Sequence, residues 1–317
     1  MRYRNHVTRM ALVMLLAVAC NAYAAEGGYA PPWSKPMVKG EPFTIGGIEN
    51  APDLHGDVND PQLVVFFAGN QYMLVNRLLE GFMHKYPKYT RVFAETLPPG
   101  VLVRQIQQGG IIVGNMRINL RPDVYTAGKG RIRGLQKKLG WFGKTEDYAR
   151  NQLAIMTAKG NPDHITGWAS LADPNLKLCM PNPITEGIAN HAIIPALRKS
   201  GGDKLVDAVY RDKVKAGTTL LTHIHHRQTP MMIMDGQCQA GAVWYTEAYF
   251  HAHIVKHPLS MVKIPMSQNH ILTYTAAAMK SAPHPEAADD FLAFLVSPEG
   301  QAIYRHYGFM APRKGKH

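Results

Sequence analysis

The chain has 317 residues, a formal net charge of +12, and 46% hydrophobic and 18% charged residues. This length and composition suit one large or two ordinary globular domains and exclude a disordered chain, a collagen or a coiled coil. With three cysteines, the chain has too few thiols for a disulfide-built scaffold or a cysteine-rich zinc module.

An export signal is predicted at the start of the sequence. Three arginines precede an apolar run over residues 10–19, and Ala22 and Ala24 then form the small-x-small pattern of a cleavage site. Because that apolar run is too short to span a bilayer, residues 1–25 are interpreted as a secretory signal peptide. Cys20 also fits a loose lipobox, so lipid anchoring is the alternative to soluble export. Either route places the mature protein outside the cytoplasm.

Residues 26–60 are rich in glycine, proline and aspartate and lack periodicity, so they are predicted to form an irregular N-terminal extension. Order is predicted to begin with the apolar run at 62–68, which is typical of a strand buried on both faces. A helix, a second strand and a second helix are then predicted over residues 74–86, 90–95 and 101–108. This alternation favours an α/β fold with parallel sheets.

The rest of the chain repeats the alternation of strands and helices. Strand patterns occupy residues 152–158, 176–180, 209–215, 240–245, 259–264 and 273–279. Helical patterns occupy residues 231–234, 285–295 and 298–307. No internal repeat or low-complexity stretch is visible, which argues against a solenoid or a repeat array.

Several stretches resemble type II periplasmic solute-binding proteins. Residues 149–162 look like the crossover segment of that superfamily, and residues 170–178 look like the opening of its second domain. Residues 287–295 and 297–309 resemble the closing helices of its molybdate-binding branch. The resemblance covers roughly residues 62–312. It is most specific in the closing helices, which pack against the core and do not contact ligand, so it indicates the superfamily and says little about the ligand.

The resemblance implies an α/β protein of two lobes, with parallel-type sheets flanked by helices and a ligand cleft between the lobes. Residues 61–150 and 258–317 would build lobe one, and residues 151–257 would build lobe two. The predicted strands agree, because they recur in three blocks separated at those points.

The same resemblance implies a monomeric periplasmic protein with no cofactor and no nucleic-acid partner. Such a protein would capture a small anion, either a molybdate-like oxyanion or a related acid, by closure of its lobes. It would deliver that anion to an inner-membrane ABC permease.

The loops beyond the carboxyl ends of the predicted strands are candidate ligand contacts, because ligands of open α/β sheets bind there. Gly69 and Asn70 follow the first strand, where free backbone N–H groups favour an anion. Pro99 and Gly100 follow the second strand in the same way, and Arg117 offers a bidentate partner for an oxyanion. The structural alternatives are a helix cap at Asn70 and an ordinary surface arginine at Arg117.

The predicted second lobe contributes another set of candidate contacts. Thr185 lies in a loop that resembles a family segment of main-chain donors, and it also suits a helix cap. His226 and Arg227 align with a further family contact point. Trp244 and Tyr245 end a predicted strand where the family commonly has a ligand-binding tyrosine.

Two departures from the molybdate-binding branch change the expected ligand. Glycine, asparagine and two prolines stand at residues 69–70 and 98–99, where that branch has serines whose hydroxyls hold the oxyanion. Trp244 replaces a tyrosine hydroxyl by an indole N–H and a large apolar wall. The sequence therefore predicts weak molybdate binding, with a different anion or a small organic acid as the preferred ligand.

Histidines and cysteines suggest two further sites. His223, His225 and His226 have a spacing that suits a metal or an anion, and they are minor candidates for metal ligands. Cys179 and Cys238 each lie in or beside a predicted strand of lobe two, and export permits their oxidation to a disulfide.

The sequence contains no nucleophile elbow, phosphate-binding loop, dinucleotide fingerprint or zinc-hydrolase helix. A binding protein is therefore favoured over an enzyme. The alternative is a sensory or accessory protein that binds a metal ion or a small organic ligand without coupling to transport.

Overall fold

The computed structural model describes residues 53–113, 116–222, 225 and 227–313. The predicted signal peptide with Cys20 lies outside the described residues, as do most of the N-terminal extension, His223 and His226. Within the described part of the chain, no helix combines the length and the apolar character that crossing a bilayer requires.

Two mixed β-sheets, each covered by helices, organise the described residues. The first sheet has the spatial strand order β1 (Leu54–Gly56), β3 (Val92–Leu97), β2 (Leu63–Ala68), β6 (Val124–Gly128), β13 (Leu272–Met279) and β7 (Phe142–Asn151). β2 lies parallel to β3 and β6, whereas β1, β13 and β7 pair antiparallel. The parallel part of this sheet is therefore confined to three strands.

The second sheet repeats this mixture of directions. Its spatial order is β10 (Thr219–Leu221), β9 (Leu178–Met180), β11 (Ala240–Trp244), β8 (Leu153–Ala158) and β12 (Leu259–Lys263). β9 lies parallel to both of its neighbours, and β8 lies antiparallel to both of its own. A separate antiparallel pair is formed by β4 (Ile111–Val113) and β5 (Met116–Ile118).

The α-helices of the described residues are α1 (Val75–Lys85), α2 (Pro99–Gln108), α3 (Lys129–Leu139), α4 (Ile194–Asp207), α5 (Lys213–Lys215), α6 (Gln228–Met234), α7 (Tyr245–Tyr249), α8 (Pro285–Val296) and α9 (Pro298–His306). Proline sets the start of α2, α8 and α9, because its fixed φ suits the first helical turn. Gly109 and Gly140 end α2 and α3 with positive φ.

β2 shows why the first sheet has two covered faces. All six of its residues are buried. Leu63, Val65 and Phe67 point to the face covered by α1 and α8, whereas Val64 and Phe66 point to the face covered by α2 and α3. A continuous apolar strand of this kind needs helices on both sides, as the sequence predicts.

The chain crosses between the two sheets at two adjacent places. It leaves the first sheet where β7 ends at Asn151 and enters the second where β8 begins at Leu153. It returns through residues 264–271, between β12 and β13. Asn269 joins the crossings, since its Oδ1 accepts from the Leu153 amide at 2.8 Å and its Nδ2 donates to the Leu153 carbonyl at 2.9 Å.

The second crossing lies later in the chain than the sequence indicates. The resemblance implies that residues 258–317 belong to lobe one, but β12 pairs with β8 along five residues of the second sheet. The return to the first sheet therefore follows residue 263 instead of residue 257. The reason is that a short apolar strand has the same pattern in either sheet, so its partner is set by tertiary pairing.

Two local predictions also differ from the structure. Residues 209–215 have a strand pattern, yet they are helical, because their buried side chains, Val209 and Lys213, are four residues apart. Residues 54–56 belong to the predicted irregular extension, yet they form β1 at the edge of the first sheet. A three-residue strand is too short to produce a recognisable alternation.

Candidate ligand-binding cleft

A cavity of about 1080 Å³ lies between the two sheets. Gly69, Pro99 and Gly128 reach it from the first sheet, where they stand at or just beyond the ends of β2, β3 and β6. Thr185 and Trp244 reach it from the second sheet, beyond β9 and at the end of β11. Strand ends from both lobes thus converge on one space, as expected for ligands of open α/β sheets.

The loop after β2 approaches the opposite lobe closely. A Cβ at Gly69 would lie 3.2 Å from His225 Nε2 of the second lobe and 3.0 Å from the Leu97 carbonyl carbon of its own lobe, so a larger side chain would crowd both. Next to it, Asn70 is buried, and its Nδ2 donates to the Tyr274 hydroxyl at 2.5 Å. Both candidate residues of this loop line the cavity.

The loop after β3 presents the start of α2 to the cavity. Pro99 and Gly100 both line it, and a Cβ at Gly100 would have no atom within 4 Å. The Tyr125 hydroxyl donates to the Pro99 carbonyl at 3.1 Å and holds this turn from below. The N-terminal turn of α2 therefore has open space in front of it.

A buried acid lies behind α2. Gln105 of α2 donates from Nε2 to Glu95 Oε1 at 2.9 Å, which ties the helix to β3. Burial raises the pKa of Glu95 to about 8. The hydrogen bond from Gln105 opposes this shift, and the charge of Asp53 adds to it. Glu95 is therefore largely protonated at neutral pH.

α3 contributes a glycine face and two cations to the cavity. Gly130 and Gly134 lie one turn apart along the wall, and a Cβ at either would have no atom within 4 Å. Arg131 and Lys138 line the same wall, and both side chains are exposed. Arg104 of α2 joins them as a third exposed cation.

The loop after β9 forms the facing wall. Asn182 starts it with an Asx turn, in which its Oδ1 accepts from the Ile184 amide at 2.9 Å. Thr185 is exposed toward the cavity, and the adjacent Glu186 is buried, where it accepts a hydrogen bond from Thr222. Thr185 and Glu186 thus both line the wall, and the Glu186 carboxylate is engaged within the lobe by Thr222.

The floor of the cavity includes an aromatic pair. Trp244 is only 5% exposed and packs edge-on against Tyr274, with ring centroids 6.4 Å apart. Burial raises the pKa of the Tyr274 phenol, so it stays neutral. Tyr245, the other candidate on this strand end, is not among the lining residues; its ring stacks on Tyr249 and its amide donates to the Gln152 carbonyl.

Arg227 joins the two lobes instead of lining the cavity. Its Nη2 donates to Asp53 Oδ1 at 2.7 Å, and its Nη1 donates to the Gly69 carbonyl at 3.2 Å. The guanidinium also lies 5.0 Å from the ring centroid of Tyr72, in cation–π contact. Arg227, which is predicted as a ligand contact, therefore bonds to residues of lobe one. The sequence does not indicate this bridging role.

Arg117 lies away from the cavity. It is exposed on β5, where Nη2 donates to the Gln108 carbonyl at 2.7 Å and Nε donates to Asn119 Oδ1 at 2.9 Å. These contacts stabilise the end of α2 and the β4–β5 pair. This position fits the alternative that Arg117 is an ordinary surface arginine, and it does not bring Arg117 to the cavity.

Of the three candidate metal-ligand histidines, only His225 belongs to the described residues, and it lines the cavity. Among the described residues, no group of three or more histidine, cysteine or acidic side chains is arranged to hold a metal ion.

Several wall residues were missed by reasoning from the sequence. They are Arg104, Arg131, Lys138, His191 and His270. Arg131 and Lys138 lie seven residues apart in a helix, which is a signal for one shared face, but only the fold shows that this face meets the cavity. Partial burial lowers the pKa of His270, and the charges of His191 and Lys199 lower it further.

A disulfide braces the second lobe. Cys179 in β9 and Cys238, two residues before β11, are bonded, with their Cα atoms 5.8 Å apart. Both are buried in the cluster of Ala154, Met156 and Val243. The bond therefore fixes the strand ends opposite the cleft, not the cleft itself.

Comparison with known proteins defines the class to which this architecture belongs. The family model of bacterial extracellular solute-binding proteins matches residues 63–310, and the chain therefore belongs to that family. The predicted resemblance to type II periplasmic binding proteins and the predicted two-lobe α/β fold are confirmed.

The curated relatives include the molybdate-binding protein ModA of Mycobacterium tuberculosis, which is 24% identical over 172 residues. That match covers 54% of this chain and 58% of the relative, so the chain spans little more than half of the relative's length.

Solved structures share the fold at low identity. The periplasmic molybdate-binding protein of Azotobacter vinelandii has a TM-score of 0.63 at 18% identity, covering 79% of this chain and 100% of its own. The sulfate-binding protein SubI of Mycobacterium tuberculosis has a TM-score of 0.62 at 16% identity, and the match covers 78% of this chain and 86% of SubI. Iron-bound HitA of Pseudomonas aeruginosa has a TM-score of 0.60 at 15% identity, and the match covers 80% of this chain and 87% of HitA.

Proposed function

We propose that this protein captures a small anion in the periplasm, as a monomer, and delivers it to an ABC permease of the inner membrane. Binding, not catalysis, is the proposed activity. The similar proteins bind molybdate, sulfate or iron. Their similarity therefore supports solute binding in general and does not identify the ligand of this protein.

The charge of the cleft is the observation that carries this proposal. Arg104, Arg131 and Lys138 line the cavity, and Glu186 is the one acid among the described lining residues. Glu186 is engaged inside its lobe by Thr222. The space between the lobes is therefore positively charged, which attracts an anion and raises its local concentration.

Neutral donors complete the proposed site. The first turns of α2 and α3 begin at Pro99 and Lys129, at the cavity side of the sheet, and their amides and helix dipoles favour negative charge. Asn70 and Trp244, which line the floor, carry further side-chain N–H groups that a ligand could use.

Closure of the lobes is the proposed capture step. The two crossings are short and lie side by side, tied by Asn269 to Leu153, so rotation about them moves one wall of the cavity against the other. The closed form would be the one that the permease recognises.

Native mass spectrometry of the protein purified from periplasm, without added ligand, tests the proposal directly. We expect a bound species whose mass identifies an anion and which is released on partial unfolding. Small-angle scattering with that anion should then show a smaller radius of gyration at saturation. A bound neutral or cationic species, or an unchanged radius, would contradict the proposal.

A further inference from the structure

The cavity is much larger than a tetrahedral oxyanion. Water occupies about 30 Å³ per molecule in the liquid, so the five heavy atoms of such an ion fill roughly 150 Å³ at most. The cavity measures about 1080 Å³, close to the upper limit of about 1,000 Å³ for sites that bind organic ligands.

This size is not simply the result of separated lobes. The lobes already touch at one end, where Arg227 contacts Asp53 at 2.7 Å and the Gly69 carbonyl at 3.2 Å. His225 also approaches Gly69 closely across the same end. Even with the lobes in contact there, the cavity extends to α3 and to the loop after β9, whose residues line it.

The cavity walls formed by α3 and the loop after β9 carry apolar side chains. Ile184 is 89% exposed at the tip of the loop after β9, and it lines the cavity together with Leu135 of α3. Trp244 and Leu272 continue this surface toward the floor. An isoleucine so exposed beside a cavity gains free energy when a ligand covers it.

The cations stand beside this apolar surface. Arg131 precedes Leu135 by four residues on α3, so the two side chains share one face of the helix. Lys138 follows Leu135 by three residues on the same face. A ligand that covers Leu135 and Ile184 therefore meets positive charge on both sides.

We infer that the cleft takes an organic anion with an aromatic or branched apolar body, and not a bare inorganic oxyanion. Its phosphate, sulfonate or carboxylate group faces Arg104, Arg131 and Lys138, and its apolar body packs against Trp244, Leu272 and Ile184. This inference rests on the proposed function and specifies the chemical class of its ligand.

Calorimetry with 1-naphthyl phosphate and inorganic phosphate, which share the anionic group and differ in the apolar body, tests the inference. We expect naphthyl phosphate to bind at least tenfold more tightly. Ile184→Ser should reduce the ratio of the two affinities about threefold or more, since it removes apolar contact at an exposed position that does not affect folding. Ile112→Ser, at an exposed isoleucine outside the cavity, is its matched control.

Arg131→Gln should weaken both phosphates, whereas Arg133→Gln, on the same helix but outside the cavity lining, should weaken neither. Equal affinity for the two phosphates would overturn the inference and leave anion capture standing. Binding of neither phosphate, nor of molybdate or sulfate, would overturn the inference and the proposed function together.

Discussion

Arg227 and Asp53 form a buried ion pair between the two lobes, with Nη2 2.7 Å from Oδ1 and with side-chain exposures of 1% and 0%. Arg227 belongs to the start of α6 in the second lobe, and Asp53 directly precedes β1 in the first. The pair closes one end of the cleft and sets the closest approach of the lobes there. It therefore couples the stability of the protein to the geometry of its site.

Removing Asp53 from this pair should be costly, because the buried Arg227 guanidinium loses a carboxylate that bonds it at 2.7 Å. Asp53→Ala is expected to reduce the free energy of unfolding by about 3–5 kcal/mol. Urea denaturation measures the change. Asp60→Ala is the matched control, since Asp60 is 84% exposed in its pair with Arg91 and such pairs contribute about 0–1 kcal/mol. Equal effects of the two substitutions would contradict this account.

Glu95 should make stability fall as the pH rises. Its pKa of about 8 in the folded protein exceeds the value of 4.5 expected when unfolded, so the native state binds more protons between these values. The free energy of unfolding should thus decrease from pH 5 to pH 8 and level off above. Glu95→Gln retains a neutral partner for Gln105 and should remove at least about 1 kcal/mol of this decrease.

Thermal unfolding of the wild type and Glu95→Gln at several pH values measures that difference. Glu80→Gln, at an exposed acid of α1, serves as the control and should follow the wild-type pH dependence. Parallel pH profiles for the wild type and Glu95→Gln would show that Glu95 titrates normally.

The disulfide between Cys179 and Cys238 should stabilise the second lobe. It joins residues 59 apart in sequence, and loop-closure entropy for a loop of this length corresponds to about 4 kcal/mol. Cys179→Ala combined with Cys238→Ala is expected to lower the melting temperature, and a reductant should lower that of the wild type but not that of the double variant. A reductant effect of the same size on both proteins would indicate another origin.

Molybdate should not be the best ligand. Hydroxyl donors to a charged ligand contribute about 1.5–3 kcal/mol each, and the loops at 69–70 and 98–99 lack the serines of the molybdate-binding branch. Two or three missing hydroxyls would cost several decades of affinity, at about 1.4 kcal/mol per decade. Calorimetry with molybdate, tungstate and sulfate should give micromolar dissociation constants or no binding. A nanomolar constant for any of them would refute this prediction.

The position of each candidate residue along the chain was easier to predict than its contacts. Gly69, Asn70, Pro99, Gly100 and Thr185 follow buried strands, and all five line the cavity. Strand ends can be recognised from apolar runs that stop at glycine, proline or asparagine, so these positions follow from local pattern.

Arg117 and Arg227 show where that reasoning fails. Both were predicted from the sequence as ligand contacts, Arg117 from its charge and Arg227 from the resemblance. Arg117 instead caps the end of α2, and Arg227 is buried against Asp53. Charge and loop position do not reveal which partner a long side chain reaches.

The sequence by itself predicted most of the alternation of strands and helices and the loops that face the cleft, because both depend on apolar periodicity and helix-end residues within a few positions. It indicated the family through the resemblance of residues 149–162, 170–178 and 287–309 to known members. Only the tertiary structure decided that β12 belongs to the second sheet, that α3 presents its cations to the cavity, and that Arg227 pairs with Asp53. The partners of that pair are 174 residues apart. Contacts over such separations depend on how whole lobes pack, and local sequence carries no record of them.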